Sequence, residues 1–120
     1  MPISATATSR ARQQRLRRSL LITPGNRLER IAKSATLPAD AIILDLEDGV
    51  APADKPAARA AIGKALGEID FGGRERIVRV NAVGTPEHAA DLAALDLAGI
   101  DALFVPKVES ADQLRALSRA

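Results

Sequence analysis

Three features of the sequence predict an α/β protein built on a parallel sheet. Short apolar runs alternate four times with longer stretches whose apolar residues recur at helical spacing. The second run, Ala41-Ile-Ile-Leu44, is apolar enough to be covered on both faces, as strands of parallel sheets are. Polar and charged residues gather where each run ends.

The elements follow in order. Ser19–Thr23 (Ser-Leu-Leu-Ile-Thr) reads as a first strand, stopped by Pro24-Gly25. Asn26 is placed to cap a helix through Leu28, Ile31 and Ala32. Residues 37–40 connect to a second strand, Ala41–Leu46. Pro52 opens a helix carrying Ala57, Ala61, Ile62, Ala65 and Leu66. Phe71-Gly72-Gly73 breaks the chain before a third strand, Arg76–Ala82. Pro86 starts a helix through Ala90, Leu92, Leu95 and Leu97, which Gly99 is placed to close. Ala102–Pro106 is the fourth strand, and Ser110 caps a fourth helix with Leu114 and Leu117.

Successive strands start about 22, 35 and 26 residues apart. Right-handed crossovers of that length give a parallel sheet with helices packed outside it. An open doubly wound sheet and a (β/α)8 barrel share this rhythm. Thr23-Pro-Gly-Asn-Arg27 after the first strand lacks the GxGxxG fingerprint, and nothing resembles a P-loop. The predicted fold class is therefore α/β of the (β/α)8 TIM-barrel type, with residues 17–120 forming about the first four βα units. Four strands cannot close a barrel, and they leave an open parallel edge suited to pairing.

Composition narrows the function. Hydrophobic residues make up 47% and charged residues 27%, a globular balance. Phe71 and Phe104 are the only aromatic residues, too few for a stacking platform, so no nucleic-acid partner is expected. No apolar run approaches the roughly 20 residues that span a bilayer, so no membrane partner is expected. With no cysteine there are no disulfides and no thiolate sites, which fits a reducing, cytoplasmic location. Residues 1–30 hold seven arginines and one acid (net +6), whereas residues 31–120 hold ten basic and fourteen acidic residues (net −4). The basic balance belongs to a flexible Arg-rich tail, residues 1–16, for which an organelle transit peptide is the minor alternative.

The strand ends carry the candidate chemistry: Thr23–Asn26, then Asp45, Glu47 and Asp48, then Arg79 and Asn81, then Lys107 and Glu109. In a barrel these ends converge on one face, where active sites sit. Three carboxylates leaving a buried strand require a cation, either a divalent metal or a basic group. Arg79 stands between apolar β-branched residues and needs an anionic partner, because a guanidinium cannot shed its proton. That partner is either a substrate carboxylate or Glu47. Lys107 reads as a salt-bridge partner in a pocket. His88, the only histidine, reads as solvent-exposed, and Lys55 with Arg59 reads as a solvated or ion-paired helix face that Asp54 flanks.

Arg18-Ser-Leu-Leu-Ile-Thr-Pro-Gly25, Leu44-Asp-Leu-Glu-Asp-Gly-Val50 with Pro52, Lys55 and Ala58-Arg59, Val78-Arg-Val-Asn81 and Val105-Pro-Lys-Val-Glu109 occur in this order. Together they resemble the citrate lyase β-subunit-like branch of the HpcH/HpaI aldolase/citrate lyase family, over residues 17–120. The resemblance implies an oligomeric (β/α)8 barrel, here a homo-oligomer. It implies an Mg²⁺-dependent carbon–carbon lyase that cleaves or forms a 3-hydroxy-acyl thioester such as citryl-, malyl- or citramalyl-CoA. The products are an acyl thioester and a 2-oxo acid, and the substrate partner is an acyl-CoA or acyl-carrier thioester. By the same resemblance, Arg79 and Glu47 are catalytic and Arg79, Arg18, Asn81 and Lys107 bind substrate. Asp45, Glu47 and Asp48 then lie around the metal and its waters, and its direct ligands are expected beyond residue 120. A hard cation with few carboxylate ligands suits Mg²⁺, which acts as Lewis acid and template in such chemistry. The chain is accordingly expected to be either a fragment of a longer protein or a truncated gene product. Two alternatives stand beside this reading: a non-catalytic half-barrel acting only by pairing with another chain, and an aldolase that forms pyruvate from a hydroxy-oxo acid.

Overall fold

The structure is a computed structural model that describes residues 18–108, 110–112 and 115. Strand β1 (Leu20–Pro24) leads to helix α1 (Leu28–Ser34), then β2 (Ala41–Asp45). A 3-10 turn over Pro52–Asp54 runs into α2 (Lys55–Glu68), followed by β3 (Glu75–Arg79), α3 (Pro86–Ala94), a second 3-10 turn over Leu97–Gly99, and β4 (Ala102–Phe104). The four strands form one sheet in the order β1-β2-β3-β4, every neighbour parallel. This is the predicted alternation.

The two sheet faces differ. Ile42 and Leu44 of β2, Leu46 beyond it, and Val78 and Val80 pack against Ile31 and Ala35 on the α1 side, Ala58, Ile62 and Ala65 of α2, and Leu95 after α3. This helix-side layer is the main core; burying each large aliphatic side chain there contributes about 1.5–3 kcal/mol. The opposite face holds a smaller cluster of Ala41, Ile43 and Ile77, with Ala102 against it. There the central strands are covered while the edge strands are open: Ile43 is 2% exposed, Ile22 of β1 53% and Phe104 of β4 44%.

Register decides what meets at the strand ends. Pro24 lies beside Asp45, Asp45 beside Arg79, and Arg79 beside Phe104. Residues in one row of a parallel sheet share a face, so this row points its side chains to the opposite side from the helices.

Several predicted boundaries shift for local reasons. Asn26 does not cap α1; Arg27 N–H bonds to Pro24 O at 3.3 Å, and this turn carries the chain past Asn26 before Leu28 begins the helix. Asp54 makes no side-chain cap bond to α2. Helix α3 ends at Ala94 instead of reaching Leu97, because the Asp96 side chain accepts from Ala98 N–H and starts a separate turn that contains Gly99. Strand β4 stops before Val105-Pro106, and Pro106 has no N–H to offer a ladder. Glu109, and Leu114 and Leu117 of the predicted fourth helix, lie outside the described residues.

Candidate functional site

Asp45 is the fixed point of the strand-end row. Its carboxylate accepts four hydrogen bonds: Oδ1 from Arg79 Nε (2.7 Å) and Glu47 N (2.9 Å), Oδ2 from Arg79 Nη2 (2.8 Å) and Gly49 N (2.7 Å). Two glycines make room for it. A Cβ on Gly25 would lie 2.6 Å from Asp45 O, and one on Gly49 would run into Asp45 Oδ2. Burial alone would raise the Asp45 carboxyl, but the Arg79 pair and the two N–H groups outweigh it and hold the group below the ordinary carboxylate range. The Asp45 bonds raise Arg79 in turn, against the effect of its burial.

Arg79 is thereby gripped along one edge. Its guanidinium carbon stands 5.9 Å from the centre of the Phe104 ring, which covers one face. Nε lies 3.7 Å from Glu47 Oε1. Among the described residues Nη1 has no partner, so Nη1–H and the second Nη2–H remain as a parallel pair of donors on an arginine that is 21% exposed. Such a pair fits a carboxylate.

Glu47 is buried, and its Oε2 accepts from Lys107 Nζ at 2.9 Å. Lys107 itself is mostly exposed, takes up the left-handed backbone conformation (φ 55°), and is raised by its bond to Glu47. Asp48 is exposed. Glu47, Asp48, Val50, Lys55, Asn81, Thr85 and Lys107 are among the residues lining a cleft of about 340 Å³ beyond the ends of β2, β3 and β4.

Asn81 is turned away from donor chemistry. Its Nδ2 gives both hydrogens to protein acceptors, Leu46 O (3.0 Å) and Asp91 Oδ2 (2.7 Å), so a ligand in the cleft finds only the acceptor Oδ1. Asp91 is fully buried and also accepts from Asn81 N (2.8 Å) and Arg59 Nε (2.8 Å). Arg59 reaches the Glu87 carboxylate as well; burial would lower Arg59, but Asp91 and Glu87 outweigh it and raise it. This network ties α2 and α3 to the end of β3.

Three expected placements change. Lys55 does not lie on a solvated face: it is buried, and Nζ donates to Leu46 O (2.7 Å) and Glu47 O (2.9 Å). His88 is buried too, because its Nδ1–H donates to Asn81 O at 2.8 Å in the first turn of α3. Arg18 is not brought to this site. It precedes β1 at the amino end of the sheet, 79% exposed, with its N–H on Asp40 Oδ2 at 2.9 Å. Thr23, at the end of β1, is turned toward α1: the Ser34 hydroxyl donates to Arg30 O (2.8 Å), so Thr23 Oγ1 donates to Ser34 Oγ (2.6 Å).

Sequence reasoning missed Asp91 and Phe104. A signal for Asp91 existed: Glu87 and Asp91 form an i, i+4 acidic pair on the helix that follows the Lys55/Arg59 pair. Among the described residues, no group of three or more His, Asp or Glu side chains is placed to hold a metal ion. Asp45 is saturated and Glu47 is paired, so these acids do not form a metal centre by themselves.

Four parallel strands in sequential order, with charged residues beyond their carboxyl ends and a match to solved structures of this family, are the first part of a protein of the (β/α)8-barrel class. Residues 18–120 match the model of the HpcH/HpaI aldolase/citrate lyase family, and the chain belongs to that family. It is 39% identical over 104 residues to citrate lyase subunit beta of Leuconostoc mesenteroides subsp. cremoris, covering 87% of this chain and 34% of that protein. It is 46% identical over 101 residues to a (3S)-malyl-CoA thioesterase of Cereibacter sphaeroides, covering 84% and 35%. It is 38% identical over 104 residues to the mitochondrial citramalyl-CoA lyase of Rattus norvegicus, covering 85% and 31%. The chain thus spans about a third of the length of these relatives. Among solved structures, it resembles the citrate lyase beta subunit from M. tuberculosis complexed with oxaloacetate and magnesium (TM-score 0.67, 45% identity, 85% of this chain and 45% of that one). It also resembles CitE from Mycobacterium tuberculosis in complex with magnesium, acetoacetate and coenzyme A (TM-score 0.69, 44% identity, 86% and 38%).

Proposed function

We propose that this chain supplies the first strand-end half of a magnesium-dependent carbon–carbon lyase acting on 3-hydroxy-acyl thioesters. The substrates would be of the citryl, malyl or citramalyl kind, and the products an acyl thioester and a 2-oxo acid. The observation that carries the reading is the Arg79 guanidinium, fixed on one edge by Asp45 and left open on the other. A substrate carboxylate would take the free Nη1/Nη2 pair in bidentate fashion, which orients the bond to be broken and holds a fixed positive charge beside the negative charge that develops. Asp45 would act as a positioning residue, because its four bonds leave it no part in proton transfer. Glu47, held between Lys107 and Arg79, would present its carboxylate to the cleft. The direct magnesium ligands are proposed to lie beyond residue 120. The relatives named for citrate lyase and citramalyl-CoA lyase support the thioester substrate class.

The test is an assay of malyl-, citramalyl- and citryl-CoA with and without Mg²⁺, reading 2-oxo acid release. With this chain joined to the segment proposed to carry the metal ligands, the expected outcome is magnesium-dependent release from at least one thioester, abolished by R79K. Release that R79K leaves intact would refute the assignment of Arg79. No 2-oxo acid release from any thioester by that joined, folded protein would favour the pairing half-barrel, a reading suited to the open Leu20, Ile22 and Phe104 of the edge strands.

A further inference from the structure

Lys55 is a buried lysine that no carboxylate among the described residues meets. It is 7% exposed, its Nζ donates only to the carbonyl oxygens of Leu46 and Glu47, and among the described residues no acid lies within ion-pair distance of it. An ammonium has three hydrogens to give, so one remains, and Lys55 lines the 340 Å³ cleft. Two carbonyl dipoles compensate a buried cation only in part; a full negative charge is the missing counterpart.

The cleft is less negative than its acids suggest. Glu47 is paired with Lys107 and Glu87 with Arg59, which leaves the exposed Asp48 as the only unpaired acid among the described residues of its lining. Thr85 and Glu87 bring the first turn of the nine-residue helix α3 to the same cleft, and with it the positive end of the helix dipole. The Leu46–Glu47 peptide under Lys55 is held firmly, because Leu46 O accepts from both Lys55 Nζ and Asn81 Nδ2.

We propose that this cleft binds an oxyanion, the carboxylate or phosphate group of a ligand, against the third N–H of Lys55. The site is distinct from the open edge of Arg79, and it stands whether or not the lyase reading does. If both hold, the cleft receives a second anionic group of the same substrate, and the cation that positions the Leu46–Glu47 turn also selects the ligand.

The test is a titration of the 120-residue chain, labelled with ¹³C at lysine Cε, with sodium acetate and with sodium pyrophosphate at constant ionic strength in chloride. The expected result is a saturable shift of the Lys55 signal ahead of those of Lys33, Lys64 and Lys107. A response to acetate alone identifies a carboxylate, and a response to pyrophosphate alone identifies a phosphate. K55M should weaken the binding, read from the Lys107 signal, by about tenfold or more, as the loss of a charged hydrogen bond requires, and K64M, outside the cleft, should leave it unchanged. Should K55M fail to fold, the Lys55 shift in the unaltered chain still decides. No saturable shift at Lys55 with either anion, or equal affinity in a folded K55M, would overturn the proposal.

Discussion

Two arginine–aspartate pairs bracket β3, and their surroundings give them different capacities. On the helix side, Arg59 and Asn81 together occupy both oxygens of Asp91, which is fully buried, and the Nη2 group of Arg59 donates to the Glu87 carboxylate and to Glu87 O. On the other face, Arg79 and two backbone N–H groups occupy both oxygens of Asp45, yet Arg79 keeps an unengaged edge. The aspartate is saturated in both pairs. What separates the two arginines is the Nη2 group: Glu87 takes both of its hydrogens in Arg59, whereas Arg79 keeps one free beside Nη1.

The comparison can be broken at several points. The largest effect is expected from D91A, which leaves the Arg59 cation and the Asn81 N–H groups without their acceptor. Urea unfolding should show a loss of about 3–5 kcal/mol, as when one partner of a buried pair is removed. R79M should cost less, about 1–3 kcal/mol by the same measurement, because Asp45 retains the N–H groups of Glu47 and Gly49. A loss from R79M equal to that from D91A would make Arg79 a strut as well. G25A, whose Cβ would press on Asp45 O and Ile62, should cost about 1–3 kcal/mol and disturb the Asp45 row first.

Acid titration sharpens the same contrast. The Asp45 carboxyl is lowered in the folded chain, so its contribution to stability is fully present above the ordinary value of 3.8 and is lost as pH falls through the lowered value. D45N should therefore flatten the acid limb of the stability curve below about pH 4 while lowering stability at neutral pH. An unchanged acid limb would show that the pair does not form in solution. The smallest effect is expected from K107M. Lys107 is largely exposed and Arg79 still stands 3.7 Å from Glu47, so the unfolding midpoint should stay where it is.

Much of this was legible in the sequence, and the gaps have physical causes. The alternation of strands and helices follows from apolar period alone, and the fully buried β2 was announced by Ala41-Ile-Ile-Leu44. That Arg79 needs an anion was readable from its apolar neighbours; that Asp45 holds it, with Glu47 only at 3.7 Å, depends on strand register. Lys55 and His88 were read outward because both stand in first turns of helices, where periodicity does not say which residues turn back under the preceding loop. Arg18 was grouped with the site through the resemblance of its motif, whereas the strand direction puts it at the sheet's other end.

Calorimetric titration with pyruvate, comparing the unaltered chain with R79K, tests the open edge of Arg79 directly. Lysine keeps the charge but loses the fork, so binding should weaken by about tenfold or more in R79K. The unfolding midpoint of the two chains should differ less than that of D91A. Pyruvate affinity unchanged in R79K would contradict the account and leave Arg79, like Arg59, a structural pair.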